Sequence, residues 1–163
     1  MDNNLEISDL TFIGSGISTS FSILNFLNLV ENDSNKNNII SIDIIEKFPE
    51  FNLGLPYGVR SGFSTHLITS LKNFLAEPEL SLFTIWLSKN KSWLLKEYKN
   101  EGGILSAEWL NTNRNDIEHD KWEELFIPRR FFGCYIDQLV ESKITKLSKA
   151  NKIFCPSCWS KLY

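Results

Sequence analysis

Long apolar runs, surplus positive charge and cysteine are all scarce in this sequence, and each shortage narrows what the chain can be. No apolar segment approaches the roughly 18 residues that suggest a membrane span. Lys and Arg number 17 against 20 Asp and Glu, giving a formal net charge of −3, and no cationic run offsets it. That balance argues against a general affinity for nucleic acid, which depends on neutralising phosphates. The three cysteines are an odd number. The N-terminus, Met1-Asp-Asn-Asn-Leu-Glu-Ile-Ser-Asp9, is too acidic and polar for a secretory signal. Together these fit a reducing cytoplasm rather than a disulfide framework, so a cytoplasmic protein is expected.

Cys155-Pro-Ser-Cys158 is a CxxC, but Cys134 is the only further sulfur and a zinc site needs four ligands. The pair is read as having no metal or redox role. No Ser-His-Asp order, paired-carboxylate motif or His-x-x-x-His occurs, and no internal repeat. What remains is an ordinary globular composition, 42% hydrophobic and 23% charged, over 163 residues, enough for one domain with its own core.

Within it one stretch organises the rest: Leu10-Thr-Phe-Ile-Gly-Ser-Gly-Ile-Ser-Thr-Ser20. Leu10, Phe12 and Ile13 predict a short buried strand. Gly14 and Gly16 follow, and an apolar-periodic segment starts near Ile17. Strand, glycine turn and helix in that order are the context of a dinucleotide fingerprint. The first glycine allows the tight turn and the second the close approach of a pyrophosphate. The helix N-terminus then offers N–H groups and the positive end of its dipole. Thr19 stands where the pattern has a third small residue. Two glycines that merely close a βα turn are the plainer alternative.

Ile23, Phe26, Leu27 and Val30, with Ile17, Phe21 and Leu24 on a neighbouring stripe, predict a helix packed on a sheet and covered from outside. Residues 31–38 are turn formers and predict a loop. Ile39-Ile-Ser-Ile-Asp-Ile-Ile-Glu46 is β-branched and nearly continuous in apolarity, as buried parallel strands are. It ends on Glu46, 27 residues beyond Thr19. An acid at that strand end binds a ribose hydroxyl in dinucleotide folds; Asp43 is the second candidate, and a plain surface glutamate the alternative. Residues 48–76 are aromatic but weakly periodic and predict an ordered excursion packing over a ligand. Pro78 and Glu79 open a helix carrying Phe83, Trp86, Leu87 and Leu94. Gly102-Gly103 break it. A short helix is expected over Ile104–Leu110 and a polar loop over Asn111–Asp120. A last helix follows Pro128, with Phe132, Ile136, Val140, Ile144 and Leu147 on one side.

These pieces in this order resemble the N-terminal part of the FAD-NAD(P)-binding proteins, a group of flavoprotein oxidoreductase-like sequences. The likeness rests on Phe12-Ile-Gly-Ser-Gly-Ile-Ser18 and Ile42-Asp-Ile-Ile-Glu46. It rests more specifically on Leu53-Gly-Leu-Pro-Tyr-Gly58 through His66-Leu67 to Phe83 and Trp86-Leu87, and on Phe126-Ile-Pro-Arg-Arg-Phe-Phe-Gly-Cys-Tyr135. It implies an α/β, Rossmann-like FAD-binding domain with a parallel sheet and a mainly helical segment over 78–150. It implies FAD, with NAD(P)H as a further cofactor. Cofactor-binding roles are implied for Gly14, Ser15, Gly16, Ile17, Ser18, Glu46, Lys47, Tyr57, Gly58, His66 and Arg129. Family members have Asn where this chain has Thr69. They also continue past this length, and the tail 151–163 departs from that continuation, so a truncated copy is expected.

Weighed by themselves, His66 suits a general base or hydrogen-bond donor near a flavin, or simply a loop-ordering role. His119 reads as solvated. Arg129 and Arg130 at a helix start oppose its dipole, which an anionic phosphate would offset; pairing with Glu123 or Glu124 is the alternative. Arg60 is a weaker candidate. The expected function is an FAD-binding oxidoreductase-like protein moving hydride or electrons between cofactor and an unknown small molecule, without nucleic-acid or membrane partners. The alternatives are a non-catalytic nucleotide-binding fragment or interaction module, and, less favoured, an S-adenosylmethionine-dependent methyltransferase.

Overall fold

The computed structural model describes residues 7–33 and 38–156. The described residues up to Gly54 and from Ile136 onward form one unit, and Leu55–Tyr135 form a second. The protein is α/β, with a small parallel sheet and a majority of helix. Among the described residues no helix is long and apolar enough to cross a membrane.

The first unit is built on β1 (Leu10–Ile13), α1 (Ile17–Asn32) and β2 (Ile40–Ile45). β1 and β2 pair in parallel, Leu10 with Ile42 and Phe12 with Ile44, so these four side chains share one face of the sheet. On that face Ile42 and Ile44 are buried, and the Phe12 ring meets Phe26 of α1 edge-on at 6.4 Å. The helical face that meets the core carries Ile23, Leu27 and Val30, at the spacing of one helical stripe. A third strand, β3 (Ile153–Phe154), joins β2 in parallel, giving the order β1-β2-β3.

The opposite sheet face corrects two expectations. β1 and β2 were expected to be buried on both sides, yet Ile13 is 84% and Ile45 57% exposed. Continuous apolarity in a strand reports two apolar faces, not two covering layers. The second stripe of α1 is covered only in part, Phe21 standing 37% exposed while Ile17 and Leu24 are half-buried. The tail also contributes more than expected, because Ile153 is buried in register with Ile40. Cys155 beside it is buried; Cys158, the second cysteine of the CxxC, lies outside the described residues.

The end of α1 is held by charge. Lys152 Nζ donates to the carbonyls of Val30, Glu31 and Asp33 at 3.1, 2.8 and 2.9 Å, satisfying acceptors that a helix end leaves open. Glu31 pairs with both Lys143 and Lys146 of α7 (Arg129–Lys149), and Ile136, Val140, Ile144 and Leu147 of the same helix are buried, as their spacing predicts. The Lys143 and Lys146 ammonium groups hold the Glu31 carboxyl down to about 2.

The second unit is helical. The excursion over 48–76, which belongs to this unit from Leu55 onward, is ordered but contains short helical turns: α2 (Gly54–Tyr57), a 3₁₀ turn (Val59–Ser61) and α3 (Leu71–Phe74). α4 (Glu79–Glu101) starts and stops where Pro78 and Gly102 predict. α5 (Gly103–Thr112) follows after Gly102 alone, which must lack a Cβ because one would lie 2.5 Å from the Cβ of Ser106. The polar stretch expected as loop contains α6 (Arg114–Glu118), which buries Ile117. An aromatic cluster fills the interior, Phe83 meeting Tyr135 at 4.9 Å and Phe132 at 5.3 Å.

Two outcomes test the charge clamp on α1. Lys152→Met should lower the free energy of urea unfolding by about 1.5–3 kcal/mol, the range for hydrogen bonds from a charged donor. Because the Glu31 carboxyl is depressed from 4.5 to about 2, its stabilisation is present above pH 4.5 and is lost as pH falls toward 2. Glu31→Gln should therefore flatten acid destabilisation over that window, and an unchanged acid limb would disprove the coupling.

Candidate functional site

The glycine turn is shaped by the sheet that precedes it. Gly14 extends the β1–β2 ladder by one bond, its N–H donating to Ile45 O at 2.7 Å. It then turns the chain at φ +81°, where a side chain is strained. A Cβ on Gly14 would meet nothing within 4 Å, so the backbone there faces open space. Gly16 is the N-cap of α1 and no side chain caps the helix. Ser20 N–H returns to Gly16 O at 2.9 Å, which leaves the first-turn N–H groups of Ile17, Ser18 and Thr19 without intrahelical acceptors. That end carries the positive end of the dipole of a 16-residue helix.

Glu46 follows directly on β2 and reaches back to this turn. Its carboxylate accepts from Ser15 N–H at 2.7 Å, from Ser15 Oγ at 3.0 Å and from Phe48 N–H at 3.2 Å. The Ser15 N–H lowers the Glu46 carboxyl below its usual range, so it is an anion and acceptor at neutral pH. Asp43 is placed differently: it accepts from Ser8 Oγ on the open sheet face, so of the two acids Glu46 is the one at the turn.

Two residues that the sequence did not single out complete the arrangement. Asn52 N–H donates to Ser15 Oγ at 3.2 Å, and Asn52 O accepts from Ser20 Oγ at 3.0 Å. Its Nδ2 donates to Asp137 at 2.9 Å, while its buried Oδ1 has no hydrogen-bond partner among the described residues. Ser15 is fully buried and Asn52 is 5% exposed. Asn52 holds φ +66°, which asparagine tolerates better than most residues. An asparagine two residues before a glycine was the available signal; its partners, 32 to 85 positions away, left none.

Of the other candidates in this unit, Ser18 is exposed with its carbonyl accepting from Ser22 Oγ, and Ile17 is half-buried. Lys47 is exposed, its Nζ 5.6 Å from the Phe48 ring centroid. Tyr57, Gly58, His66 and Arg129 belong to the second unit. Tyr57 meets Phe132 at 5.5 Å, and Gly58 O accepts from Ser61 N–H and Oγ. His66 stacks on Trp109 at 5.5 Å, and its Nε2 lies 2.9 Å from Tyr98 Oη. Burial lowers the His66 pKa and raises that of Tyr98 to about 12. Arg129 Nε donates to His66 O at 2.9 Å, so these two candidates do come together. The pairing weighed for the arginines is corrected. Arg130 pairs with Glu97 at 3.1 Å and covers the Phe63 ring at 4.5 Å, while Glu124 is taken by Lys72 at 2.6 Å. His119 is exposed, with Nδ1 2.7 Å from Asn115 O. No group of three His, Cys, Asp or Glu among the described residues is arranged to hold a metal.

Two curated proteins, described as uncharacterized, are similar to this chain, one from Mycobacterium tuberculosis and one from Mycobacterium bovis. Each is 32% identical over 143 residues, which is 88% of this chain and 27% of the relative. The chain thus spans about a quarter of the length of the curated relatives it matches. No family model and no solved structure matches it.

The His66 environment gives a titration to check. Burial disfavours the imidazolium, so its NMR midpoint should fall below 6.5, and the unfolded chain then binds the proton more readily. The resulting sign is a loss of stability as pH falls below 6.5. Tyr98→Phe should leave Nε2 unmatched and cost about 1–3 kcal/mol; a midpoint above 6.5 or an equally stable variant would contradict this environment.

Proposed function

We propose that the α1 N-terminus and Glu46 form the adenosine-diphosphate half of an FAD site, in a Rossmann-like domain of an oxidoreductase. The observation that carries the reading is the approach of Glu46 to the glycine turn, its carboxylate 2.7 Å from Ser15 N. An acceptor for ribose hydroxyls thereby stands beside donors for a pyrophosphate, as the two groups stand in the ligand. The parallel order β1-β2-β3 supports it, being the order of one half of a doubly wound sheet.

The residues fit such a group on further grounds. Open space at Gly14 and uncapped N–H groups at Ile17, Ser18 and Thr19 suit phosphate oxygens. Ser15 N–H is already given to Glu46, so Ser15 supports the acid rather than the phosphate. Ionised Glu46 is acceptor-only, which suits a ribose diol and opposes a phosphate on the same sugar. FAD, when bound, supplies hydride or electron transfer; the protein's share is binding and orientation. NAD(P)H as donor, a small-molecule substrate and a cytoplasmic setting complete the proposal. His66 is assigned a positioning role for its loop, since its Nε2 is engaged by Tyr98.

A second reading, nucleotide binding without turnover, is favoured by the exposure of Ile13 and Ile45 at the carboxyl ends of β1 and β2. Redox intermediates need water excluded, and these two side chains beside the turn stand in water. Steady NAD(P)H oxidation at about 1 per second or more would reject this second reading.

Titration with FAD and with ADP, followed calorimetrically, tests the site itself. Glu46→Ala should weaken both by roughly ten- to hundredfold, the equivalent of about 1.5–3 kcal/mol for a charged acceptor. Equal affinities for parent and variant would remove Glu46 from the site, and failure of the parent to bind either ligand would remove the proposal.

A further inference from the structure

We propose that a groove between α4, α5 and α6 docks an acidic, amphipathic helical segment of a partner protein. This stands independently of the nucleotide site. The groove encloses about 580 Å³ and takes Leu95, Lys96 and Lys99 from α4, Ala107 and Leu110 from α5, and Arg114 and Ile117 from α6. Each helix contributes residues three or four apart, so each presents a single stripe to the same space. Leu95, Ala107, Leu110 and Ile117 make an apolar floor. Ile104, three residues before Ala107 on α5, is 79% exposed and continues that strip beyond the groove.

The rim is cationic although the chain carries a net charge of −3. Lys96, Lys99 and Arg114 face a single acid of the lining, Glu118, which lies 3.5 Å from Arg114. Lys96 and Lys99 have no ion pair among the described residues. Two uncompensated ammonium groups above an apolar floor call for an occupant with apolar residues on one face and carboxylates beside them. The groove is about half open to solvent, whereas small-molecule sites bury most of their ligand. An amphipathic helix, which lays only one face into its groove, matches that shape.

A fluorescein-labelled peptide with Leu at i, i+3, i+4 and i+7 and Glu at the flanking positions is the probe, read by anisotropy. It should bind saturably, and binding should weaken as salt rises, because the attraction is between exposed charges. The double variant Lys96→Glu, Lys99→Glu should lose about tenfold or more in affinity, with an unchanged circular dichroism spectrum. Ala107→Arg fills the floor while keeping the rim positive, and it too should abolish binding, which separates the groove from bulk charge. Lys149→Glu, on a different helix, should leave affinity unchanged. The proposal is overturned if the acidic peptide fails to bind, if the same peptide with Lys for Glu binds equally, or if Ala107→Arg binds normally. It is also overturned if dodecanoate binds while the peptide does not, since the site would then take a small amphiphile.

Discussion

The carboxylate of Glu46 on the Ser15 N–H is the contact on which the first unit depends. It joins the end of β2 to the turn after β1, so the strand pair and the helix it launches are fixed by one anion. Ser15 is fully buried, and its hydroxyl donates to Glu46 while accepting from Asn52 N–H. Asn52 then passes the connection to Ser20 and Asp137. Asn52 Oδ1 apart, these contacts satisfy buried polar groups, and a buried group left unmet costs about 1–3 kcal/mol. A helix N-terminus that lacks a side-chain cap is thus held in place through the residue before it.

The sheet has a covered and an open side, and the division follows from side-chain alternation. Ile42 and Ile44 are at most 3% exposed, while Ile45 beside them is 57% exposed. What stabilises so small a sheet is therefore one apolar layer together with polar fastening at its rim. Lys152 lies one residue before β3 and reaches the carbonyls that end α1, so the strand and the helix terminus are secured by the same segment. Glu31, gripped by Lys143 and Lys146, fastens α1 to α7 in the same way. Surface ion pairs singly contribute little, but a shared carboxylate with two partners also restricts the two helices to one register.

Local periodicity made much of this legible. β1, the glycine turn, α1, α4 and α7 were readable because their apolar spacing is a property of the segment itself, and Pro78, Gly102 and Pro128 marked boundaries. Glu46 was found because the strand before it is so plainly a strand. What could not be read depends on contacts distant in sequence. β3 is two residues long and exists through its register with Ile40 and Ser41. α6 sits in a polar stretch with one apolar anchor, Ile117. Asn52 and Asp137 are 85 positions apart, and neither carries a local pattern that announces the other. The exposure of Ile13 and Ile45 was hidden because a strand's composition records the apolarity of both faces but not which face has a neighbour.

The same internal anion sets the terms of the proposed nucleotide site. A helix N-terminus attracts a negative group by about 0.3–1 kcal/mol when exposed. Like charges placed near one another on a protein surface repel, and the Glu46 carboxylate is an anion at the same turn. A bare phosphate at this turn would therefore meet Glu46 at a loss. An adenosine diphosphate differs because its ribose hydroxyls can donate to the carboxylate and meet its charge while the phosphates take the free N–H groups. If the proposed nucleotide site is right, Glu46 would select against inorganic phosphate and for a phosphate that arrives attached to a diol.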